Sequence, residues 1–170
     1  RILSLLAVDQ SIKNGEQSLS DISGQISFKE VSFKYSEDGV DILKNVTFSV
    51  SPGEVVALVG STGSGKSTIA RLLSRQYEGF SGKITLDQVE LNKLSKEVSQ
   101  KAIVVVGQDP YLFKATIREN IHLWDQMLID QPDQVVRAAE RACAHPFISK
   151  LPNHYETICS SQGAELSAGQ

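Results

Sequence analysis

Residues 60 to 68 read GSTGSGKST and follow directly on the apolar run EVVALV. Three glycines, a lysine and hydroxyl residues throughout make this loop too polar and too flexible for an ordinary core turn. Glycines let a chain curl so that successive backbone N–H groups point at one anion. A helix starting near Ser67 would aim its positive end into the same space. Lys66 adds a full charge suited to β- and γ-phosphates, and the Ser67 hydroxyl can ligate Mg²⁺. Gly60, Gly65, Lys66 and Ser67 satisfy GxxxxGK(S/T), with an apolar run before and a helical pattern after. With glycine near 7% of residues, a chance match in a chain this long is on the order of one in a hundred. The loop therefore points to a bound nucleotide, and kinases, GTPases, motors and transporters all use such loops.

The elements that must position the loop follow from periodicity. In ISFKEVSFKY, Ile26 and Phe28, then Val31, Phe33 and Tyr35, alternate with polar residues, and the phase slips once at Lys29–Glu30. This predicts a strand with a bulge. Val46, Phe48 and Val50 predict a second half-buried strand, antiparallel to the first, closed by the turn SPGE. EVVALVG is continuously apolar, as a strand buried on both faces of a parallel sheet would be. GKITLD and KAIVVVGQD are further strand candidates. Ile69, Leu72 and Leu73 mark a helix after the loop. From Pro132, the residues Val135, Ala138, Ala139, Ala142 and Cys143 fall on one helical face, ended by Pro146. Residues 1–24 read as a linker, with helix-like spacing in RILSLLAV.

The composition is that of a globular protein: 170 residues, 41% hydrophobic and 22% charged. A net charge of −3 without a basic stripe points away from nucleic acid. No apolar run approaches the roughly 20 residues of a membrane span. Cys143 and Cys159 read as reduced thiols. His122, His145 and His154 lack metal-ligand spacing and read as packing or surface residues. Asp109, Glu119 and Asp125 show no acid–base pairing.

Several stretches, in order, resemble the nucleotide-binding domain of an ATP-binding cassette (ABC) transporter of the exporter type, over essentially all of residues 25–170. FKEVSFKY is similar to the segment whose aromatic residue stacks on adenine, which falls on Tyr35. VVVGQDPYLFKATIRENI is similar to the Q-loop, its glutamine falling on Gln108, a Mg²⁺ ligand and water sensor that also faces the membrane domain. LSAGQ, residues 166–170, is similar to the signature LSGGQ, with Ala168 for the first glycine. The resemblance implies that Leu166, Ser167, Ala168, Gly169 and Gln170 serve the nucleotide of a second, head-to-tail domain. Gly60, Ser61, Thr62, Gly63, Ser64, Gly65, Lys66, Ser67 and Thr68, with Tyr35 and Gln108, would hold ATP. Lys66 and Gln108 would act in catalysis, and Ser67 and Gln108 would bind Mg²⁺. AAERACAHPFISKLPNHYET is similar to the exporter helical subdomain, placed at about 112–170. Ser161 stands where exporters usually carry a glutamate, which hints at altered cross-talk or a heterodimer.

The expected fold is α/β: a P-loop NTPase core with a small antiparallel β subdomain and a helical subdomain insertion, incomplete at the C-terminus. The implied parent hydrolyses ATP at the cytoplasmic face of a membrane to drive export by a membrane domain fused upstream. Two rival readings are a soluble ABC ATPase without transport and a nucleotide-binding regulatory module. No apolar run ending in Asp–Glu occurs in the sequence. Residues 1–170 alone are thus expected to turn ATP over weakly or not at all. Turnover of purified protein at saturating Mg·ATP tests this, and a rate typical of intact domains would contradict it.

Overall fold

The computed structural model describes residues 15–107, 111–159 and 166, with the side chains of Gln126 and Met127 excepted. The helix-like stretch at residues 1–8 lies outside them. The chain forms two compact units, residues 1–105 and 106–170.

In the first unit, β1 (Ile26–Phe33) and β2 (Leu43–Val50) pair antiparallel, with Phe28 opposite Phe48 and Ile26 opposite Val50. β3 (Ser81–Leu86) pairs antiparallel on the other side of β1, and the two-residue β4 (Val89–Glu90) pairs with β3. The order is β2-β1-β3-β4. The slip of apolar phase at Lys29–Glu30 is a bulge. The register shifts between Phe28 and Val31 on the β2 side and between Lys29 and Ser32 on the β3 side, and Glu30 has φ 53°. Without the extra residue, Val31 and Phe33 would turn to solvent; with it, Phe28, Val31 and Phe33 are all buried. The rings of Phe28 and Phe48 stack at 4.6 Å.

Helix α1 (Lys66–Leu73) buries Thr68, Ile69 and Leu72. Ile69 and Leu72 join Phe28, Val31, Phe33, Leu43, Ile84 and Leu86 in one core, so the helix that begins at the loop is clamped by the sheet. Leu91 and Leu94 extend this core beside the short 3-10 turn Leu91–Lys93. Helix α2 (Lys96–Ala102) follows, its first turn capped by Ser95 Oγ accepting from the Val98 N–H at 3.2 Å. The stretch before β1 is fastened to the same unit: Gln17 N–H donates to Lys93 O at 3.0 Å, and Ser95 N–H donates to Gln17 O at 2.9 Å. Asp87 accepts from the Ser23 hydroxyl and from the N–H groups of Ser23, Gly24 and Gln25.

The second unit is helical. Thr116 and Glu119 form a capping box that starts α3 (Ile117–His122). Two short helices, α4 (Gln126–Ile129) and α6 (His145–Ile148), flank α5 (Pro132–Arg141), and a 3-10 turn covers His154–Glu156. Ile117, Val135, Ala139, Ile148, Tyr155 and Cys159 form its core. Backbone bonds Ile117 N–H to Thr157 O and Cys159 N–H to Ala115 O tie the start of α3 to the following chain.

Two expectations are corrected. The apolar runs within 54–60 and 103–107 carry no strand pairing, and Val55 and Val59 are 96% and 89% exposed. A strand buried on both faces needs ladder partners at its edges, and the strand ladders among the described residues all lie within β1–β4. On α5, only Val135 and Ala139 of the proposed face are buried. The helix stops at Arg141, and Cys143 is exposed with φ 56°.

Phe28→Ala should lower the unfolding free energy by about 3–5 kcal/mol in a denaturant titration, because neighbours in both strands and α1 cannot close the gap. The Ser23 hydroxyl first, then the N–H groups of Gln25, Gly24 and Ser23, hold the Asp87 carboxyl below its ordinary value. A carboxyl depressed in the folded state stabilises above its unfolded pKa of about 3.9, and that contribution is lost as pH falls through the folded value. Asp87→Asn should therefore lower the denaturation midpoint near neutral pH and converge on the parent chain as pH falls through the folded-state value of the Asp87 carboxyl. A pH-independent difference would contradict the role of the carboxylate.

Candidate functional site

Gly65 sets the site. It has φ 90°, and a Cβ there would lie 2.6 Å from Leu43 Cδ2 and 3.2 Å from Ile42 O. Only glycine meets both the left-handed backbone and the close approach to the entry of β2. Gly65 is also the N-cap of α1, so no side chain caps the first turn, and that turn holds no acidic residue. Its N–H groups, with the positive end of the helix dipole, are free to meet an anion from outside the chain.

Lys66, in that first turn, reaches back over the loop. Its Nζ donates to Gly60 O at 2.9 Å, to Ser61 O at 2.7 Å and to Ser64 Oγ at 3.2 Å. The ammonium is thus centred on the loop. Ser67 is exposed beside it, whereas Thr68 is buried.

Tyr35 stands at the rim of the same cleft. Its hydroxyl lies 2.9 Å from Thr68 Oγ1 and accepts from Arg71 Nη1 at 3.3 Å. The Thr68 hydrogen bond, aided by Arg71 and opposed by partial burial, holds the phenol below its usual pKa. Tyr35 as a whole is 44% exposed. Tyr35, Ile42, Gly63, Gly65, Lys66, Ser67, Thr68 and Arg71 line one cleft of about 320 Å³.

The structure thus brings Tyr35 to the phosphate loop across 31 residues of sequence. Ile42 and Arg71 border the cleft without having been singled out in the sequence. Arg71 follows Ser67 by one helical turn, a spacing that could have found it. Gln108, Ser167, Ala168, Gly169 and Gln170 lie outside the described residues. Leu166 borders an apolar groove of the second unit with Leu112, Ile117 and Phe147. Glu119 serves the capping box, and Nδ1 of the buried His122 accepts from the Trp124 N–H. No cluster of metal-ligating side chains occurs among the described residues. No helix among them is long and apolar enough to cross a membrane.

A backbone cradle, a lysine and an exposed hydroxyl suit a Mg²⁺-bound polyphosphate, and a ring at the rim suits a base. The sequence pattern of the family described as "ABC transporter" matches residues 43–170. The whole chain is 44% identical to "ABC transporter B family member 26, chloroplastic" of Arabidopsis thaliana, covering 24% of that protein. It is 43% identical over 156 residues to "Leukotoxin translocation ATP-binding protein LktB" of Mannheimia haemolytica, covering 92% of this chain and 22% of that one. The chain spans about a quarter of the length of these two relatives. A bacterial Atm1-family ABC exporter solved with ATP bound superposes with a TM-score of 0.85 at 31% identity, over 98% of this chain and 29% of the exporter. Since the family pattern covers well over half of its length, the chain belongs to the ABC transporter family.

Proposed function

We propose that this chain is the ATP-binding part of an ABC exporter and holds Mg·ATP between Tyr35 and the N-terminus of α1. The single cleft that joins the Tyr35 ring to Gly65, Lys66 and Ser67 carries the reading. The exporter that superposes on this chain was solved with ATP bound, which supports the same ligand here.

In this reading the first-turn N–H groups of α1 and the Lys66 ammonium bind the phosphates. Lys66 exchanges the carbonyl oxygens of Gly60 and Ser61 for phosphoryl oxygens, and the loop turn at Ser61–Ser64 stays in place to wrap them. The Ser67 hydroxyl would ligate Mg²⁺, and the family resemblance would add the side-chain amide oxygen of Gln108, which lies outside the described residues. The Tyr35 ring covers the adenine. ATP supplies the γ-phosphoryl group whose transfer to water is coupled to export. Leu166, Ser167, Ala168, Gly169 and Gln170 face the nucleotide of a second, head-to-tail copy or homologue. The whole protein works at the cytoplasmic face of a membrane, through a membrane domain joined by the linker at residues 1–24, without nucleic acid. The LktB relative, named for leukotoxin translocation, supports an export role.

ATP titration with a calorimetric or fluorescent readout tests the site. Lys66→Ala should weaken Mg·ATP binding by at least about tenfold, which is 1.4 kcal/mol. Tyr35→Ala should weaken it by about 1–3 kcal/mol, the usual worth of base stacking on an aromatic ring. Unchanged affinity in both variants would overturn the assignment.

A further inference from the structure

The ring at the rim of the cleft is held by more than its own strand end. Tyr35 sits two residues past the end of β1, where the backbone alone gives a side chain little orientation. Four groups hold it, and three of them come from α1 or the turn that leaves it. Thr68, on the first turns of the helix, meets the phenol oxygen at 2.9 Å, and Arg71, one turn further, donates to that oxygen at 3.3 Å. Tyr77 packs its ring against Tyr35 edge to face, with centroids 5.0 Å apart and planes at 76°. Phe33, buried in β1, closes the set with contacts to Tyr35 at 5.0 Å and to Tyr77 at 5.9 Å.

Tyr77 reaches this place because α1 ends in a tight reversal. Ser74 N–H donates to Ala70 O, Gln76 N–H donates to Arg71 O, and Arg75 takes φ 53°. The buried Arg75 guanidinium donates to Leu94 O at 2.8 Å and pairs with Glu78 at 3.0 Å, which pins the reversal to the unit's core. The helix that presents the phosphate cradle at its first residue therefore carries the supports of the ring at its middle and just past its end. One rigid element fixes the span between the two halves of the cleft.

We infer that Arg71 and Tyr77 are positioning residues, which hold the Tyr35 ring at the rim of the cleft in an orientation that can stack on the base of a nucleoside triphosphate. They act through Tyr35 and leave the phosphate contacts to the loop. This rests on the reading that Tyr35 carries the base, and it adds which side chains make that face competent.

The test compares two probes, Mg·ATP and inorganic tripolyphosphate with Mg²⁺, by calorimetric titration of the 170-residue chain. Arg71→Gln and Tyr77→Ala should each weaken ATP by about three- to tenfold, the worth of one aromatic pair or one charge-assisted hydrogen bond. Both should leave tripolyphosphate within about twofold of the parent chain. Tyr77→Phe keeps the edge-to-face contact and should bind ATP like the parent, whereas Tyr35→Phe, which loses both hydroxyl contacts, should resemble Arg71→Gln. ATP affinity unchanged in Arg71→Gln and Tyr77→Ala would overturn the inference. So would equal weakening of both probes, which would place the two residues in the phosphate site or in folding. A parent chain that binds tripolyphosphate as tightly as ATP would instead remove the base-stacking reading itself.

Discussion

The close approach of Gly65 to Leu43 and Ile42 is the constraint on which the site depends. A left-handed residue there lets the loop turn into α1 while α1 lies against the entry of β2. A side chain there would meet the buried Leu43 side chain and crowd the Ile42 carbonyl, on a backbone at φ 90° that L residues rarely adopt. Core packing and anion geometry are therefore one problem in this unit, solved at one residue. The loop itself is exposed and polar and holds its shape through Lys66, whose three acceptors span Gly60 to Ser64.

The sheet serves the same end. Bulged β1 keeps Phe28, Val31 and Phe33 on the core face on either side of Glu30, then releases the chain so that Tyr35 emerges at the cleft. Gly82 of β3 permits the bulge, because a Cβ there would lie 2.3 Å from Glu30 O. A base-sized face and a phosphate-sized cradle are thus mounted on two elements that share one hydrophobic core.

Local pattern made much of this legible. The phase slip at Lys29–Glu30 located the bulge, and Ile69 and Leu72 located the buried face of α1, because burial enforces period and phase. The phosphate loop was legible because its chemistry is local: the glycines, lysine and hydroxyls are consecutive. The role of Tyr77 was not, since it depends on a reversal at Arg75 that no periodicity encodes, whereas Arg71 stands one helical turn from Ser67, within reach of a spacing argument. The valines of 55–59 and 104–106 misled in the opposite direction. Apolar runs of that length fit a buried strand equally well whether or not a ladder partner is present, and pairing is a non-local fact. Cys143 failed for a simpler reason: the helical period was extended two residues past the point where α5 stops.

In the proposed function, the loop and the first turn of α1 are an anion cradle. Titrating isotope-labelled protein with Mg·ATP while following backbone amide resonances tests that most directly. Such a cradle predicts saturable shifts concentrated at Gly63, Ser64, Gly65, Lys66, Ser67 and Thr68, with those of β4 unmoved. Saturable binding that leaves the amides of Gly65 to Thr68 unperturbed would contradict it.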